Sequence, residues 1–275
     1  MQFFGLFGEH LSHSYSERIH STFFDLIGMN AGYKHIELPP EELEAAIEGI
    51  RVLQFVGVNV TIPYKQTVMP YLDDITQEAT RIGAVNTIKV KDGKLYGANT
   101  DYYGFGTMLA SHGIAVENQT AMVLGFGGSA KAVVLYLLDN GINNIIIVSR
   151  KKGALTDIPE DPRISLMSYD EIAEIAEIAD ISGDLIINTT PLGMFPDNIG
   201  ISAVPLEVIR HFSAAVDLIY NPQETEFLRL AKTAGLKICN GLEMLVHQGI
   251  KSQEIWLERP FELTLNQEIY DKITS

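Results

Sequence analysis

Short apolar runs alternate with stretches of helical hydrophobic spacing along most of this chain. Phe3–Gly8 predicts a first strand. Ser16–Gly28 predicts a helix that lines up Ile19, Phe23, Phe24 and Ile27 on one face, with Gly28 near its end. Lys34–Leu38 reads as a strand, and Pro40 followed by Glu41 and Glu42 opens another helix, because proline is tolerated in a first turn and acids suit its positive end. Val56–Thr61 is a strand halted by Pro63. Asn86–Thr100 predicts a hairpin in which Thr87–Val90 and Lys94–Tyr96 flank Asp92-Gly93, a turn dipeptide.

The middle of the chain is more regular. Thr120–Gly125 predicts a buried strand, Ser129–Asn140 a helix, and Asn144–Arg150 a strand with three consecutive isoleucines. Tyr169–Ala179 (helix), Leu185–Asn188 and Ala214–Tyr220 (strands), Glu224–Ala234 (helix) and Lys237–Asn240 (strand) continue the alternation, and Leu242–Trp256 is helical. Strands alternating with helices imply right-handed crossovers and a parallel sheet, hence an α/β fold. At roughly 150 residues per domain, 275 residues suggest two. The pattern places them at 1–101 plus 240–275 and at 102–239, with the last helices crossing back to the first domain. A cleft between two such domains is a natural ligand site.

Composition narrows the function. The net charge of −15 disfavours non-specific binding to nucleic acid or an anionic membrane, although it leaves room for a local anion site. The single cysteine, Cys239, excludes an internal disulfide and a multi-cysteine zinc site, and suits a buried strand end. Met1–His13 has no basic leader segment, and no uncharged run approaches the ~20 residues of a membrane span, so a soluble, cytoplasmic protein is expected. Nothing resembles a metal-binding motif, so no metal is implied. The scattered histidines (His20, His35, His112, His211, His247) are expected at surfaces or core edges, and Trp256 in packing.

Gly125-Phe126-Gly127-Gly128-Ser129-Ala130 follows an apolar strand and opens a helix, the context a dinucleotide-binding turn requires. The first glycine permits the tight turn, the second lets backbone approach a pyrophosphate, and Ala130 lets helix pack on strand. After the next strand, where an NAD protein usually offers an acid to the ribose 2′-hydroxyl, stands Ser149-Arg150-Lys151-Lys152. A guanidinium can bind a 2′-phosphate bidentately, so NADP is expected over NAD.

Polar residues gather in the first domain. Ser14 and Ser16 precede a helix, where hydroxyls either cap the helix, as Ser16 with Glu17 would, or grip a small carboxylate; both readings stay open on spacing alone. Asn59-Val60-Thr61-Ile62-Pro63-Tyr64-Lys65 sits at a strand's C-terminal end, the usual ligand edge of an α/β sheet. Gly83–Thr87 and Gly97–Asp101 flank the two ends of the hairpin and so lie near each other, able to converge with Lys65 on a polyhydroxylated molecule.

These blocks, with Asn188-Thr189-Thr190-Pro191-Leu192-Gly193-Met194, Asp217-Leu218-Ile219-Tyr220-Asn221-Pro222 and Asn240–Gln248, resemble in order the shikimate/quinate dehydrogenase family along nearly the whole chain. The resemblance implies an N-terminal α/β substrate-binding and catalytic domain with a mixed sheet, and a Rossmann-like parallel-sheet NADP domain. It implies NADPH-dependent reduction of 3-dehydroshikimate to shikimate in aromatic amino acid biosynthesis, with Lys65 and Asp101 as the catalytic pair. Ser14 and Ser16 would bind the substrate carboxylate, and Thr61, Asn86, Asp101, Tyr220 and Gln248, with Lys65, its ring and hydroxyls. Gly125, Gly127, Gly128, Ser129 and Ala130 would carry the pyrophosphate, Ser149, Arg150 and Lys151 the 2′-phosphate end, and Thr189, Met194, Gly241 and Met244 the rest of the cofactor, with Met194, Gly241 and Met244 at the nicotinamide. Departures from the family pattern are His10 and Glu17 where proline is frequent, Tyr102 where glycine is common, and Ser149-Arg150-Lys151 in place of Asn-Arg-Thr.

In this scheme a lysine ammonium donates the proton to the ketone oxygen as hydride arrives at its carbon, and Asp101 orients the ammonium; the pair would face the nicotinamide across the interdomain groove. Two alternatives remain at this level: a quinate or broad-specificity enzyme using NAD, and a nucleotide-sensing regulator that has lost catalysis. A tetrahydrofolate or glutamyl-tRNA-reductase relative is disfavoured by the Ser14/Ser16 element. The expected partners are small molecules, and the chain a monomer or homodimer.

Overall fold

The computed structural model describes residues 1–150, 152–155, 157–176 and 182–274. Among these, twelve strands form two six-stranded sheets, one in each of two compact units: Met1–Thr107 with Glu243–Ser275, and Met108–Leu242. The fold is α/β. One division falls inside a continuous helix and the other after Leu242.

The first unit opens with β1 (Gln2–Gly8), α1 (Ser16–Leu26), β2 (Ala31–Glu37), α2 (Leu43–Val52), β3 (Gly57–Val60), β4 (Asp74–Ile75), α3 (Gln77–Ile82), β5 (Thr87–Lys91), β6 (Lys94–Ala98) and α4 (Asp101–Ser111). The sheet order is β2-β1-β3-β5-β6-β4. β1 runs parallel to β2 and β3, while β5 is antiparallel to both β3 and β6, so the sheet is mixed. The antiparallel pair is the expected hairpin: Asp92 and Gly93 take φ of 51° and 71°, the two positive values a tight primed turn demands. Ile19, Phe23 and Phe24 of α1 are buried as the spacing predicts. The proline-led start at Pro40–Glu42 is a 3-10 turn that leads into α2.

The second unit contains β7 (Thr120–Leu124), α5 (Gly128–Asp139), β8 (Asn144–Val148), β9 (Ile164–Met167), α6 (Tyr169–Ala176), β10 (Leu185–Asn188), α7 (Leu206–Ile209), β11 (Ala214–Asp217), α8 (Glu226–Thr233) and β12 (Lys237–Cys239). All neighbours in the order β12-β11-β10-β7-β8-β9 are parallel. Strands of such a sheet are covered on both faces, which is why β7, β8 and β10 read as unbroken apolar runs. Met122, Ile186, Val208 and Phe227 sit in their shared core. Cys239 is buried at the end of β12. The helix expected at Tyr169–Ala179 is described as far as Ala176; residues 177–179 lie outside the described residues.

Two helices, α9 (Leu242–Leu257) and α10 (Leu263–Thr274), return the chain to the first unit, where α10 packs on α1. No described helix is long and apolar enough to cross a membrane.

Candidate active site

In the first unit, β3 ends at Val60 and the chain turns, with the Tyr64 amide donating to the Thr61 carbonyl at 2.8 Å. The turn delivers Lys65, whose carbonyl accepts from the Val85 amide at 2.7 Å. The Lys65 Nζ donates to Asp101 Oδ2 at 2.6 Å, and the two side chains are only 11 % and 7 % exposed. Asp101 is fixed from three directions. It is the first residue of α4, its amide donates to Asn99 Oδ1 at 2.9 Å, and its Oδ1 accepts from Asn86 Nδ2 at 2.9 Å. Asn99 donates in turn to the Ala84 carbonyl at 2.9 Å, tying both flanks of the hairpin together as the sequence pattern anticipated.

Asn86 is the hub. Its Nδ2 also donates to Thr100 Oγ1 (3.0 Å) and Gln248 Oε1 (3.3 Å), and its Oδ1 accepts from the Thr100 amide (2.8 Å) and Thr87 Oγ1 (2.9 Å). Lys65, Asp101, Asn86 and Gln248 are thus one connected group. An ammonium held by a buried carboxylate is positioned to deliver a proton to a developing oxyanion and to stabilise it.

Ser14 and Ser16 also come together: the Ser14 hydroxyl donates to Ser16 Oγ at 3.1 Å and accepts from the Ser16 amide at 3.2 Å. The helix-capping alternative for Ser16 is overturned. Ser16 is the first residue inside α1, Tyr15 stands at the cap position, and the hydroxyl that receives a first-turn amide belongs to Ser14. Thr61 is half-buried at the turn after β3. Of the residues assigned to the substrate, Tyr220 alone is carried by the second unit, just beyond β11.

The expectation of surface or core-edge histidines fails for His20 alone, since His35, His112, His211 and His247 are half-buried. His20 is 1 % exposed, stacked on Tyr33 at 4.2 Å between ring centroids, with Nδ1 facing Gln253 Nε2 at 2.8 Å. A histidine in the middle of an apolar helical stripe is its one sequence signal. Desolvation lowers its pKa to about 3, against the pull of the Asn59 side chain, which works the other way. The folded chain therefore refuses a proton that the unfolded chain accepts below pH ~6.5, and stability is lost as pH falls from there toward 3. At about 1.4 kcal/mol per pH unit, the drop in unfolding free energy between pH 6.5 and 5 is expected to be about 2 kcal/mol smaller in His20→Gln than in the unaltered chain. Urea melts at the two pH values check this, and equal drops refute it.

In the second unit, β7 delivers the glycine turn. Gly125 has φ of +92°, and a Cβ there would lie 2.9 Å from Thr190 Cγ2, so conformation and space both require glycine. Gly127 caps α5 in an extended conformation, and a Cβ placed on it meets nothing within 4 Å. Ala130 is buried against the sheet. A twelve-residue helix therefore starts beside open space at Gly127, a setting that fits a pyrophosphate. Thr189 donates from Oγ1 to the Leu124 carbonyl at 2.7 Å, fixing the neighbouring strand end.

Arg150 is exposed and Ser149 half-buried at the tip of β8, which suits a 2′-phosphate; Lys151 lies outside the described residues. Lys152 is committed elsewhere: its Nζ donates to both oxygens of Glu171 (2.8 and 2.9 Å), whose carboxylate accepts the Ser168 amide in a capping box at the start of α6. Met194 is 40 % exposed, Met244 is buried on α9 in the first unit, and the Gly241 amide donates to Ile219 O at 3.0 Å. One residue outside the predicted set organises this edge. Asp217 is wholly buried, accepts from Asn188, the Ile219 amide and Thr225, and burial pushes its carboxyl up to about 7.

Residues 6–88 match the family model described as the shikimate dehydrogenase substrate binding domain. Over 271 residues the chain is 51 % identical to a shikimate dehydrogenase (NADP(+)) of Clostridium beijerinckii, covering 98 % of this chain and 97 % of that one. The crystal structure of shikimate dehydrogenase 1 from Peptoclostridium difficile has a TM-score of 0.92 and 44 % identity, over 99 % of this chain and 98 % of its own. Shikimate 5-dehydrogenase of Thermus thermophilus, solved in complex with NADP(H) and shikimate, has a TM-score of 0.86 and 32 % identity over 99 % of each chain.

Proposed function

The chain belongs to the shikimate dehydrogenase family, and on that premise we propose how its own residues carry out the NADPH-dependent reduction of 3-dehydroshikimate to shikimate, a step of aromatic amino acid biosynthesis. It is an NADP-dependent oxidoreductase. A quinate enzyme using NAD and a non-catalytic nucleotide sensor are not favoured, since relatives up to 51 % identical are named shikimate dehydrogenase (NADP(+)).

The cofactor, when bound, supplies a hydride to the ketone carbon. Lys65 donates the proton to the oxygen that gains charge, and in the reverse direction neutral Lys65 takes it back. Asp101 holds the ammonium in place, and Asn86 keeps the carboxylate from turning away. Ser14 and Ser16 receive the substrate carboxylate, while Thr61, Asn86, Tyr220 and Gln248 read the ring and its hydroxyls. The amides at Gly127–Ala130 hold the pyrophosphate, with Gly125 making the turn. Thr189, Met194, Gly241 and Met244 serve the remainder of the cofactor. Ser149, Arg150 and Lys151 bind the 2′-phosphate. The observation that carries this assignment is the 2.6 Å Lys65–Asp101 pair, nearly buried and held by Asn86.

An absorbance assay at the nicotinamide band, offering shikimate and quinate against NADP and NAD, tests it, and activity confined to shikimate with NADP is expected. In the same assay Arg150→Ala is expected to raise KM for NADP about tenfold or more and leave KM for NAD within about twofold, because one charge-assisted bidentate contact is worth roughly 1.5–3 kcal/mol. Equal changes for both cofactors would remove Arg150 from the 2′-phosphate.

A further inference from the structure

β10 and β11 end level with each other in the second unit. Asn188 is registered against Asp217, and each is the last residue of its strand. Both are fully buried. Beyond them lie two segments at the edge where a parallel sheet meets its ligands: residues 189–194 after β10, and residues 218–220 after β11.

Asp217 ties the two together. Its Oδ1 accepts from Asn188 Nδ2 and from the Ile219 amide, both at 3.0 Å, and its Oδ2 accepts from Thr225 Oγ1 at 2.6 Å. Asn188 Nδ2 also donates to the Leu192 carbonyl at 3.2 Å, which turns its oxygen toward Thr190. That oxygen accepts from the Thr190 amide (3.1 Å) and hydroxyl (2.7 Å), and the Leu192 amide closes on Thr190 Oγ1 at 3.2 Å. Residues 190–192 are thus wrapped around one side chain, which Asp217 orients, and they lead into Gly193, at φ of +105°, and Met194. A Cβ on Gly193 would lie 3.2 Å from Thr225 Cβ, so this turn also rests on the residue that the other Asp217 oxygen holds.

On the second segment, the Ile219 amide bonded two residues back makes the side chain of Asp217 mimic a backbone turn. The Leu218 amide donates to the Asn188 carbonyl at 3.0 Å, and the next residue after Ile219 is Tyr220. Two N–H donors meet at Asp217 Oδ1, so only an oxygen can occupy that place. The Oδ2 site is less demanding, since the Thr225 hydroxyl can either donate or accept.

We propose that Asp217 is a positioning residue for the reaction: its buried carboxyl holds the 190–194 turn and the 218–220 segment so that Met194 meets the nicotinamide and Tyr220 the substrate ring in fixed places. This rests on the assignment of Met194 and Tyr220 to those ligands. Asp217 is too buried to reach either ligand and acts through Asn188 and Ile219.

The test compares Asp217→Leu, which removes both oxygens at similar volume, with Asp217→Asn, which can keep an oxygen at the Oδ1 site and turn its NH2 to Thr225. Both are assayed by shikimate oxidation with NADP+, using shikimate with and without deuterium at the carbon that gives up hydride. Misplacing a reacting group by about 1 Å can cost on the order of 100-fold. Asp217→Leu is therefore expected to lower kcat at least about tenfold, raise KM for shikimate about threefold or more, and increase the isotope effect on kcat, with KM for NADP+ within about twofold. Asp217→Asn should stay within about threefold of the unaltered enzyme in every parameter. An isotope effect is a ratio of rates and does not depend on the folded fraction, so a purely structural role would leave it and both KM values unchanged while Tm falls. That result overturns the proposal, as does an Asp217→Asn variant as impaired as Asp217→Leu. If Met194→Ala leaves kcat unchanged and Tyr220→Phe leaves KM for shikimate unchanged, the assignments fail and the proposal fails with them. Should Asp217→Leu not fold, a crystal structure of the unaltered enzyme with NADP+ and shikimate decides. Met194 against the nicotinamide and Tyr220 against shikimate, with Asp217 within 3.2 Å of Asn188 Nδ2 and the Ile219 amide, supports the proposal; either bond opened beyond 4 Å ends it.

Discussion

Replacing Lys65 with alanine is expected to lower kcat for shikimate oxidation by about three orders of magnitude, while KM changes by less than about fivefold. General acid–base transfer by a positioned side chain is worth roughly 10²–10⁴ in rate, and stabilisation of the oxyanion by the same ammonium places the loss in the upper half of that range. On the proposed assignment the effect belongs to kcat, because the proton and the oxyanion interaction are needed in the transition state, whereas ground-state binding falls chiefly to Ser14, Ser16, Asn86 and Gln248. The substitution also strands Asp101, which is only 7 % exposed and keeps Asn86 as its partner. Breaking a buried pair this way costs about 3–5 kcal/mol, so a thermal melt must accompany the kinetics and the folded fraction must normalise the rate. Lys65→Met, which keeps the apolar stem, should lose the same kcat with less loss of Tm. A kcat near that of the unaltered enzyme would remove Lys65 from the proton transfer.

The parts of this site that were legible in the sequence are those in which backbone chemistry forces a residue type. The Asp92-Gly93 turn sets the hairpin, the hairpin brings Asn86 and Asp101 together, and each step follows from local pattern. The glycine turn before α5 was legible for the same reason. α4 was not. Its sequence carries Gly104 and Gly106, which lower helix propensity and read as a loop. The structure shows why Gly104 is there: a Cβ would lie 2.7 Å from the Met244 carbonyl and 2.9 Å from Gln248 Cβ, so α4 and α9 approach too closely for a side chain. That contact joins positions far apart in the chain, and no periodicity reports it. β9 was missed because it is the edge strand of its sheet, partly exposed, with no unbroken apolar run.

The polar residues divide similarly. Lys65, Asp101 and Asn86 stand in recognisable blocks. Tyr33, His20 and Ser252 stand in no such block, and only the packing of α1, β2 and α9 brings them together. Lys152 shows the converse: it stands in the same basic run as Arg150, and the fold commits it to Glu171.

The largest stability loss is expected from a glycine that no motif singles out. A Cβ at Gly57 would fall 2.1 Å from Trp256 Nε1 and 2.5 Å from the Ile88 carbonyl, the pair already joined by a 2.9 Å hydrogen bond. Neither side can yield easily. Gly57 is registered against Phe4 of β1 and Lys89 of β5, so its backbone is held from both flanks, and Trp256 is packed against Phe4 at 5.1 Å. Gly57→Ala must therefore expel the indole from its carbonyl or spread the centre of the sheet. Either costs at least about 3 kcal/mol, the upper end of ordinary overpacking, or a fall in Tm of about 10 °C. Trp256 is the sole tryptophan and is 3 % exposed, so its fluorescence reports the event directly, as a red-shifted emission and an earlier melt. β3 also carries Asn59 and leads into Thr61, so the fraction that still folds should bind shikimate more weakly, while NADP+ binding, whose proposed contacts lie mostly on the other unit, should stay near that of the unaltered chain. A variant with unchanged emission and a Tm within about 2 °C would show that β3 and Trp256 do not meet this closely.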